Sequence, residues 1–162
     1  MRIDEATEAD LPAILAIHND VVATSTAIYS DIPSTLADRA TWRATRQAAG
    51  YPVLVAREAG EVLGFASFGD FRAGSGYAAT VEHSIHVRAD ARRRGVGRAL
   101  LSTLPDRAKA CGKHVLIGGI DADNQASLSL HAALGFERVA HFRQVGRKFD
   151  RWLDLVFVQK IL

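Results

Sequence analysis

The sequence predicts an α/β fold in one domain over residues 1–162: a mixed, mostly antiparallel sheet with helices on both faces. Three observations carry this. Apolar residues recur at helical spacing in four segments, and β-rich runs separate them. Two of those runs, Val53 to Arg57 and Val62 to Phe68, flank a turn containing Gly60, as an antiparallel hairpin does. The middle of the chain reads strand, glycine-containing turn, helix, strand. The length of 162 residues is that of one ordinary domain, where about 100–200 is usual.

The elements follow in order. Met1 to Glu5 reads as a short edge strand. Thr7 and Asp10 form a capping-box pattern, and Leu11, Ile14, Leu15, Ile17 and Val21 continue it at helical spacing, with Pro12 in the tolerant first turn. A second helix starts near Ser34 or Thr35 and stops at Gly50. After the hairpin, Asp70 to Ala79 is a glycine-rich loop. Val81 to Arg88 is the next strand, with Val81, His83, Ile85 and Val87 on one face and Glu82, Ser84 and His86 on the other. A helix over Gly95 to Ala110 carries the stripe Val96, Leu100, Leu101, Leu104 and Ala108, and Pro105 inside it predicts a bend. His114 to Ile120 is a strand, Asn124 to Leu134 a helix ended by Gly135, and Phe136 to Ala140 and Trp152 to Lys160 are the last strands. The segment between those two, with Arg143, Arg147, Lys148 and Phe149, reads as a charged loop.

Composition narrows the function. Hydrophobic residues at 48% and charged residues at 23% exclude a disordered chain. Twenty Lys and Arg against 18 Asp and Glu leave a net charge of +2, too balanced for a protein that coats nucleic acid or anionic lipid. The single cysteine, Cys111, excludes an internal disulfide framework and any multi-cysteine metal site, and its apolar helix position points to the core. No apolar run approaches the roughly 18 residues of a membrane span, and the acidic N-terminus is unlike a signal peptide. The expectation is a cytoplasmic protein without nucleic-acid or membrane partners.

The most informative stretch is Arg92-Arg93-Arg94-Gly95-Val96-Gly97-Arg98, which follows a strand and opens a helix. Backbone N–H groups and the helix dipole there face an incoming anion, and the two glycines let a phosphate oxygen come close. A pyrophosphate is the natural guest. The phosphate-loop pattern G-x-x-x-x-G-K-[ST] is absent, and the dinucleotide pattern fails because Leu100 stands where a third small residue belongs. A nucleic-acid patch would interleave aromatic residues, and none is present.

The motif [R/Q]-x-x-G-x-[G/A], matched by Arg92, Gly95 and Gly97, resembles the coenzyme A loop of the GCN5-related N-acetyltransferase (GNAT) superfamily. Asn124 to Ser127 followed by Leu130 to Phe136 resembles a second segment of that superfamily. Thr80 to Val87 and Gln144 to Asp154 are similar to its phosphinothricin and methionine sulfoximine N-acetyltransferase branch. The resemblance implies a GNAT fold whose sheet splays apart beside the Glu82 strand to admit the pantetheine arm, with acetyl-CoA as cosubstrate and no metal. It implies acetyl transfer to the α-amine of a small amino-acid-like molecule, and a homodimer. Glu82 is then the catalytic base, because a protonated amine must lose a proton before it attacks. The backbone of Ile85, His86 and Val87 pairs with pantetheine, and Arg92, Arg93, Arg94, Gly95, Val96, Gly97 and Arg98 wrap the pyrophosphate.

Other residues keep two readings. Asn124 and Ser127 either contact the coenzyme or cap the helix they begin. His131 stands where many relatives carry a Tyr that protonates the leaving thiolate; it is either that acid or a packing residue. Arg72, Ser75, Gly76 and Tyr77 either close over the acceptor, with Arg72 on its carboxylate, or form a solvated loop. Lys148 and Phe149 either reach a partner's pocket or belong to the charged loop. Trp152 and Phe157 are core or interface anchors. His83 faces away from Glu82 and His86, so these three do not form a metal site. The competing functions are acetylation of a polyamine, an aminoglycoside or a protein N-terminus, and acyl-CoA binding without catalysis.

Overall fold

Seven strands and four helices make up the protein in the computed structural model, which describes residues 1–162. In chain order they are β1 (Arg2–Glu5), α1 (Leu11–Thr24), α2 (Leu36–Ala48), β2 (Val53–Glu58), β3 (Glu61–Asp70), β4 (Thr80–Val87), α3 (Val96–Ala110), β5 (Val115–Asp121), α4 (Gln125–Ala133), β6 (Glu137–Lys148) and β7 (Arg151–Ile161). Short 3-10 turns lie at Glu8–Asp10, Ser75–Tyr77 and Ala89–Ala91.

Local chemistry sets the ends. The Thr7 amide donates to the Asp10 carboxylate at 2.8 Å, the expected capping box. A second box opens α2: Thr35 Oγ1 accepts from the Asp38 amide at 3.1 Å, and Asp38 accepts from the Thr35 amide at 2.7 Å. α3 runs on through Pro105, whose ring nitrogen offers the Leu101 carbonyl no proton.

All strands form one sheet in the order β1-β2-β3-β4-β5-β7-β6. Every neighbouring pair is antiparallel except β4 with β5. Helices cover both faces. Leu54, Leu63, Ala66, Phe68 and Val81 meet the α3 stripe of Val96, Leu100, Leu101, Leu104 and Ala108 on one face. Val53, Val55, Val62 and Phe65 meet Ile14 and Ile17 of α1 and Trp42 of α2 on the other. Each buried leucine of the α3 stripe contributes about 1.5–3 kcal/mol to holding the helix on the sheet.

One expectation is corrected. Arg143, Arg147 and Lys148 belong to a strand, since β6 extends from Glu137 to Lys148 and pairs with β7 as far as Lys148 opposite Arg151. Phe149 and Asp150 form the tight turn, with φ of +51° and +56°, the left-handed pair that matches the twist of a hairpin. Two register shifts and a left-handed Gln144 break the alternation that would have marked this strand in the sequence.

Gly64 lies where β3, β4 and α3 come closest. A Cβ there would sit 2.8 Å from the His86 carbonyl oxygen, 3.2 Å from Val96 Cγ1 and 3.3 Å from Leu100 Cδ1. Gly64→Ala is therefore expected to lower stability by about 1–3 kcal/mol through overpacking. Thermal denaturation would register it as a drop of about 2–4 °C per kcal/mol; an unchanged Tm would mean the strand backbone yields freely.

Candidate active site

The site begins at the parallel pair. β4 and β5 are in register only from Thr80 opposite Val115 to His83 opposite Gly118. Beyond that, Ser84 to Val87 and Gly119 to Asp121 continue as strand without pairing to each other. The backbone edge of β4 facing β5 is thereby left open over its last four residues, as the sequence anticipated for a splayed sheet.

Glu82 stands just before the parting, on the face where α1 and α2 cover the earlier strands. It is half-buried, and no hydrogen bond or ion pair reaches its carboxylate. Burial raises its pKa above the ordinary carboxylate value, with no charge nearby to offset it. Its Oε1 lies over Gly119 of β5. Phe157 and Leu155 of β7 flank the same spot. Phe71 packs edge-on to Phe157 at 5.9 Å, Tyr77 to Phe71 at 6.1 Å, and Phe142 to Phe157 at 5.3 Å. The Arg72 guanidinium sits 5.5 Å over the Phe71 ring and has no acidic partner. Arg72 and Tyr77 both lean on Phe71 at the edge of this aromatic floor, and Ser75, Gly76 and Tyr77 form the exposed 3-10 turn beside it.

The α1–α2 connection forms a second wall. Thr26 hydrogen-bonds the buried Asp121 at the end of β5, and the Tyr29 hydroxyl donates to the Asp154 carbonyl at 2.7 Å. Lys148 holds the same connection, donating from Nζ to the Ser25 carbonyl at 2.6 Å and the Ile28 carbonyl at 2.9 Å. For Lys148 the geometry favours a tie within its own chain over a reach into a partner's pocket. Burial pulls its pKa down.

The anion-facing turn lies at the other end of the slot. The chain passes from the Ala89–Ala91 turn through Arg93 at φ +59° and Gly95 at φ +83° into α3. The first helical bond of the turn runs from the Ala99 amide to the Gly95 carbonyl at 3.0 Å, so the amides of Val96, Gly97 and Arg98 have no acceptor within the helix. Arg94 pairs with Glu58, whereas Arg92, Arg93 and Arg98 are exposed without an acidic partner. Ile85 and Val87 pack on the α3 core by their side chains. His86 turns to the opposite face, tilted against Phe65 at 5.3 Å and edge-on to His18 at 6.4 Å, and burial holds its pKa down at about 4.

Asn124 caps α4 through its Oδ1, which accepts from the Ser127 amide at 3.1 Å. For His131 the geometry favours the packing reading over the acid. It is buried on the α3 side, opposite Glu82. Its Nδ1 lies 2.7 Å from the Ser127 carbonyl oxygen, which requires the proton there. Nε2, 3.3 Å from Nε2 of His83, then accepts, and the two rings stack at 5.1 Å. Burial lowers the His131 pKa, leaving a neutral ring whose one N–H is engaged. The residues that sequence reasoning missed are Gly119, Thr26, Tyr29 and Asp121. Only the glycine was signalled, by two adjacent glycines inside a β-rich run.

The model of the acetyltransferase (GNAT) family matches residues 14–136. The chain belongs to that family. It is 52% identical over 158 residues to an L-methionine sulfoximine/L-methionine sulfone acetyltransferase of Pseudomonas aeruginosa, covering 97% of this chain and 92% of the relative. An acetyltransferase structure from Salmonella typhimurium with its cofactor acetyl-CoA superposes with TM-score 0.98 at 48% identity, over 100% of this chain and 94% of that one. A ribosomal-protein-alanine N-acetyltransferase from Brucella melitensis gives TM-score 0.98 at 48% identity over the whole of both chains. Fold and family therefore agree with the resemblance found in the sequence.

The stacked histidines predict acid sensitivity. Burial, reinforced by His131, lowers the His83 pKa from 6.5 to about 3, and its Nδ1 has no partner. A base held below its unfolded value takes up its proton first in the unfolded chain, so the stability is intact above pH 6.5 and declines as pH falls toward about 3. His83→Leu is expected to flatten the fall of Tm across that window by up to about one proton's worth. An identical slope in the variant would show that other groups cause the acid lability.

Proposed function

We propose that this chain transfers the acetyl group of acetyl-CoA to the α-amine of a small amino-acid-like acceptor of the methionine sulfone or sulfoximine type, with Glu82 as the base. The observation that carries the reading is an unpartnered, half-buried carboxylate placed where two parallel strands part. A carboxylate in that state accepts a proton more readily than one in water.

The turn into α3 fits a diphosphate. Three amides without helical acceptors, the positive end of a 15-residue helix and three unpaired arginines converge on it. Gly97 supplies a further argument: a Cβ there would meet only Leu130 Cδ2 at 3.5 Å and Val87 Cγ2 at 3.7 Å, ordinary contacts, so nothing in the fold requires glycine. Approach of a ligand to the backbone does. The open edge of β4 offers its main chain to the pantetheine arm as to an added strand. Acetyl-CoA supplies the activated acetyl thioester. Glu82 takes the proton from the acceptor's ammonium, directly or through one water, and the freed nitrogen attacks the thioester carbon. A backbone N–H of the Ile85–Val87 edge steadies the oxyanion. The nitrogen sheds its second proton to solvent, the carbon–sulfur bond breaks, and coenzyme A leaves as a thiolate that is protonated from solvent rather than by His131.

Arg72 is the free cation beside the aromatic floor and suits one carboxylate. Lys148 is withdrawn into its own chain, but Arg46 is a second cation without an ion-pair partner, its guanidinium lying over Gly69, the residue paired with Glu82. The preference for a sulfone or sulfoximine over phosphinothricin rests on the higher identity to the sulfoximine/sulfone enzyme, 52% against 41% for a phosphinothricin N-acetyltransferase of Alcaligenes faecalis. The name of the Brucella relative supports acetylation of a protein N-terminus as the competing reading. We also infer a homodimer through the β6–β7 hairpin, where Val139, Val145, Phe149 and Trp152 are exposed beside a long edge strand. A cytoplasmic location belongs to the same reading; no helix is long and apolar enough to cross a membrane.

Acceptor choice and two substitutions test the assignment. Thiol release from acetyl-CoA should be fastest with methionine sulfone or sulfoximine among amino acids, polyamines and alanine-initiated peptides; activity on peptides alone would transfer the function to protein N-termini. Glu82→Gln should lower kcat about 100-fold or more while leaving the acetyl-CoA KM unchanged. The acid limb of kcat should lie above 4.5 and vanish in the variant. Gly97→Ala should keep or raise Tm, since alanine gains about 1 kcal/mol in a helix, and should weaken acetyl-CoA about tenfold by keeping its phosphate off the amides. Equal affinity in that variant would remove Gly97 from the diphosphate site.

A further inference from the structure

The strand β5 contains Gly118 and Gly119 in succession. Glycine in a strand interior costs about 0.5–1 kcal/mol relative to alanine, so adjacent ones call for a cause. Backbone conformation is not the cause, because neither residue has a positive φ. Space is. A Cβ on Gly118 would lie 2.7 Å from His83 Nε2 and 3.2 Å from Val158 Cγ2, inside the core. Gly119 points to the opposite, solvent-open face. There a Cβ would lie 3.0 Å from Glu82 Oε1, and 3.4 Å and 3.5 Å from the edges of Phe157 and Leu155. The two glycines thus admit two consecutive β4 side chains, one on each face, at the position where β4 and β5 separate.

We propose that Gly119 is a positioning residue for the base: its missing side chain is the berth in which the Glu82 carboxylate lies across β5. This rests on the reading of Glu82 as base. A methyl group at 3.0 Å forces the oxygen to shift by a few tenths of an ångström or the side chain to swing outward. Either movement takes the accepting oxygen away from the parting of the strands, where the ammonium proton is to be received. Phe157 and Leu155 close the other sides of the berth, so the displaced carboxylate does not find an equivalent place beside it.

The test measures acetyl transfer to methionine sulfone by wild type, Gly119→Ala, Glu82→Gln and the double variant, with Tm and the acetyl-CoA-induced Tm shift recorded for each. Gly119→Ala is expected to lower kcat about tenfold, given that misplacement by about 1 Å costs about 100-fold, with the acetyl-CoA KM and Tm shift unchanged. In the Glu82→Gln background the same substitution is expected to cost nothing further, because the group it displaces no longer takes the proton. Wild-type turnover in Gly119→Ala beside a slow Glu82→Gln would overturn the proposal and leave the base standing. Multiplying losses in the double variant, or a raised acetyl-CoA KM, would also overturn it, since Gly119 would then act elsewhere. Loss of the fold in Gly119→Ala would overturn it by making the glycine a requirement of the sheet. Normal turnover in Glu82→Gln would remove the base and this inference together.

Discussion

The protein depends on a parallel strand pair that stops short. β4 and β5 share four residue pairs and then run on unpaired. Elsewhere in the sheet, strands pair antiparallel with their neighbours. Unsatisfied backbone groups inside a protein are costly, so such an opening persists only where water or a ligand can complete it. What makes the opening stable is the packing around it. β4 is held by β3 along seven residue pairs on its other edge, and α3 bears on it from behind through Leu100, Leu101 and Leu104. β5 is held along its full length by β7. Each strand is fixed by a different neighbour, and the gap between them is the residue of those two attachments.

The same arrangement gives the two faces of β4 different chemistry. Val81 and His83 point into a dry core, where an imidazole is held neutral and stacked. Glu82, one residue away, meets a solvent-open floor of aromatic edges and a glycine. Strand alternation alone separates an inert histidine from a carboxylate poised to accept a proton. His131 illustrates the point from the other side. Its chemistry suits an acid, but it sits on the core face, and its proton belongs to the Ser127 carbonyl.

Much of this was legible in the sequence because the signals were local. The first capping box, the start of α2 near Thr35, the β2–β3 hairpin, the turn into α3 and the inward and outward faces of β4 follow from residues a few positions apart. The length of β6 was not legible, since bulges and a left-handed Gln144 erase its alternation, and the charged Arg147-Lys148-Phe149-Asp150-Arg151 run imitates a loop. At the site, Glu82 and the glycine turn could be found from pattern. The Thr26–Asp121 and Tyr29–Asp154 contacts could not, because they join residues 95 and 125 positions apart. His131 and Lys148 were recognised as residues of interest, but the partners that decide their roles, Ser127, His83, Ser25 and Ile28, depend on packing that no short motif encodes.

The Lys148 ammonium has a wider consequence. The stretch between α1 and α2 has no regular secondary structure of its own. It is tied down by Lys148 and Tyr29 to the final hairpin, more than a hundred positions later in the chain. An irregular segment fastened in this way inherits the rigidity of whatever fastens it. Fraying of the terminal hairpin would loosen these ties while Thr26 stays on Asp121 and Ser34 on Asn19. The chain's last two strands thereby contribute to the order of a segment near its beginning.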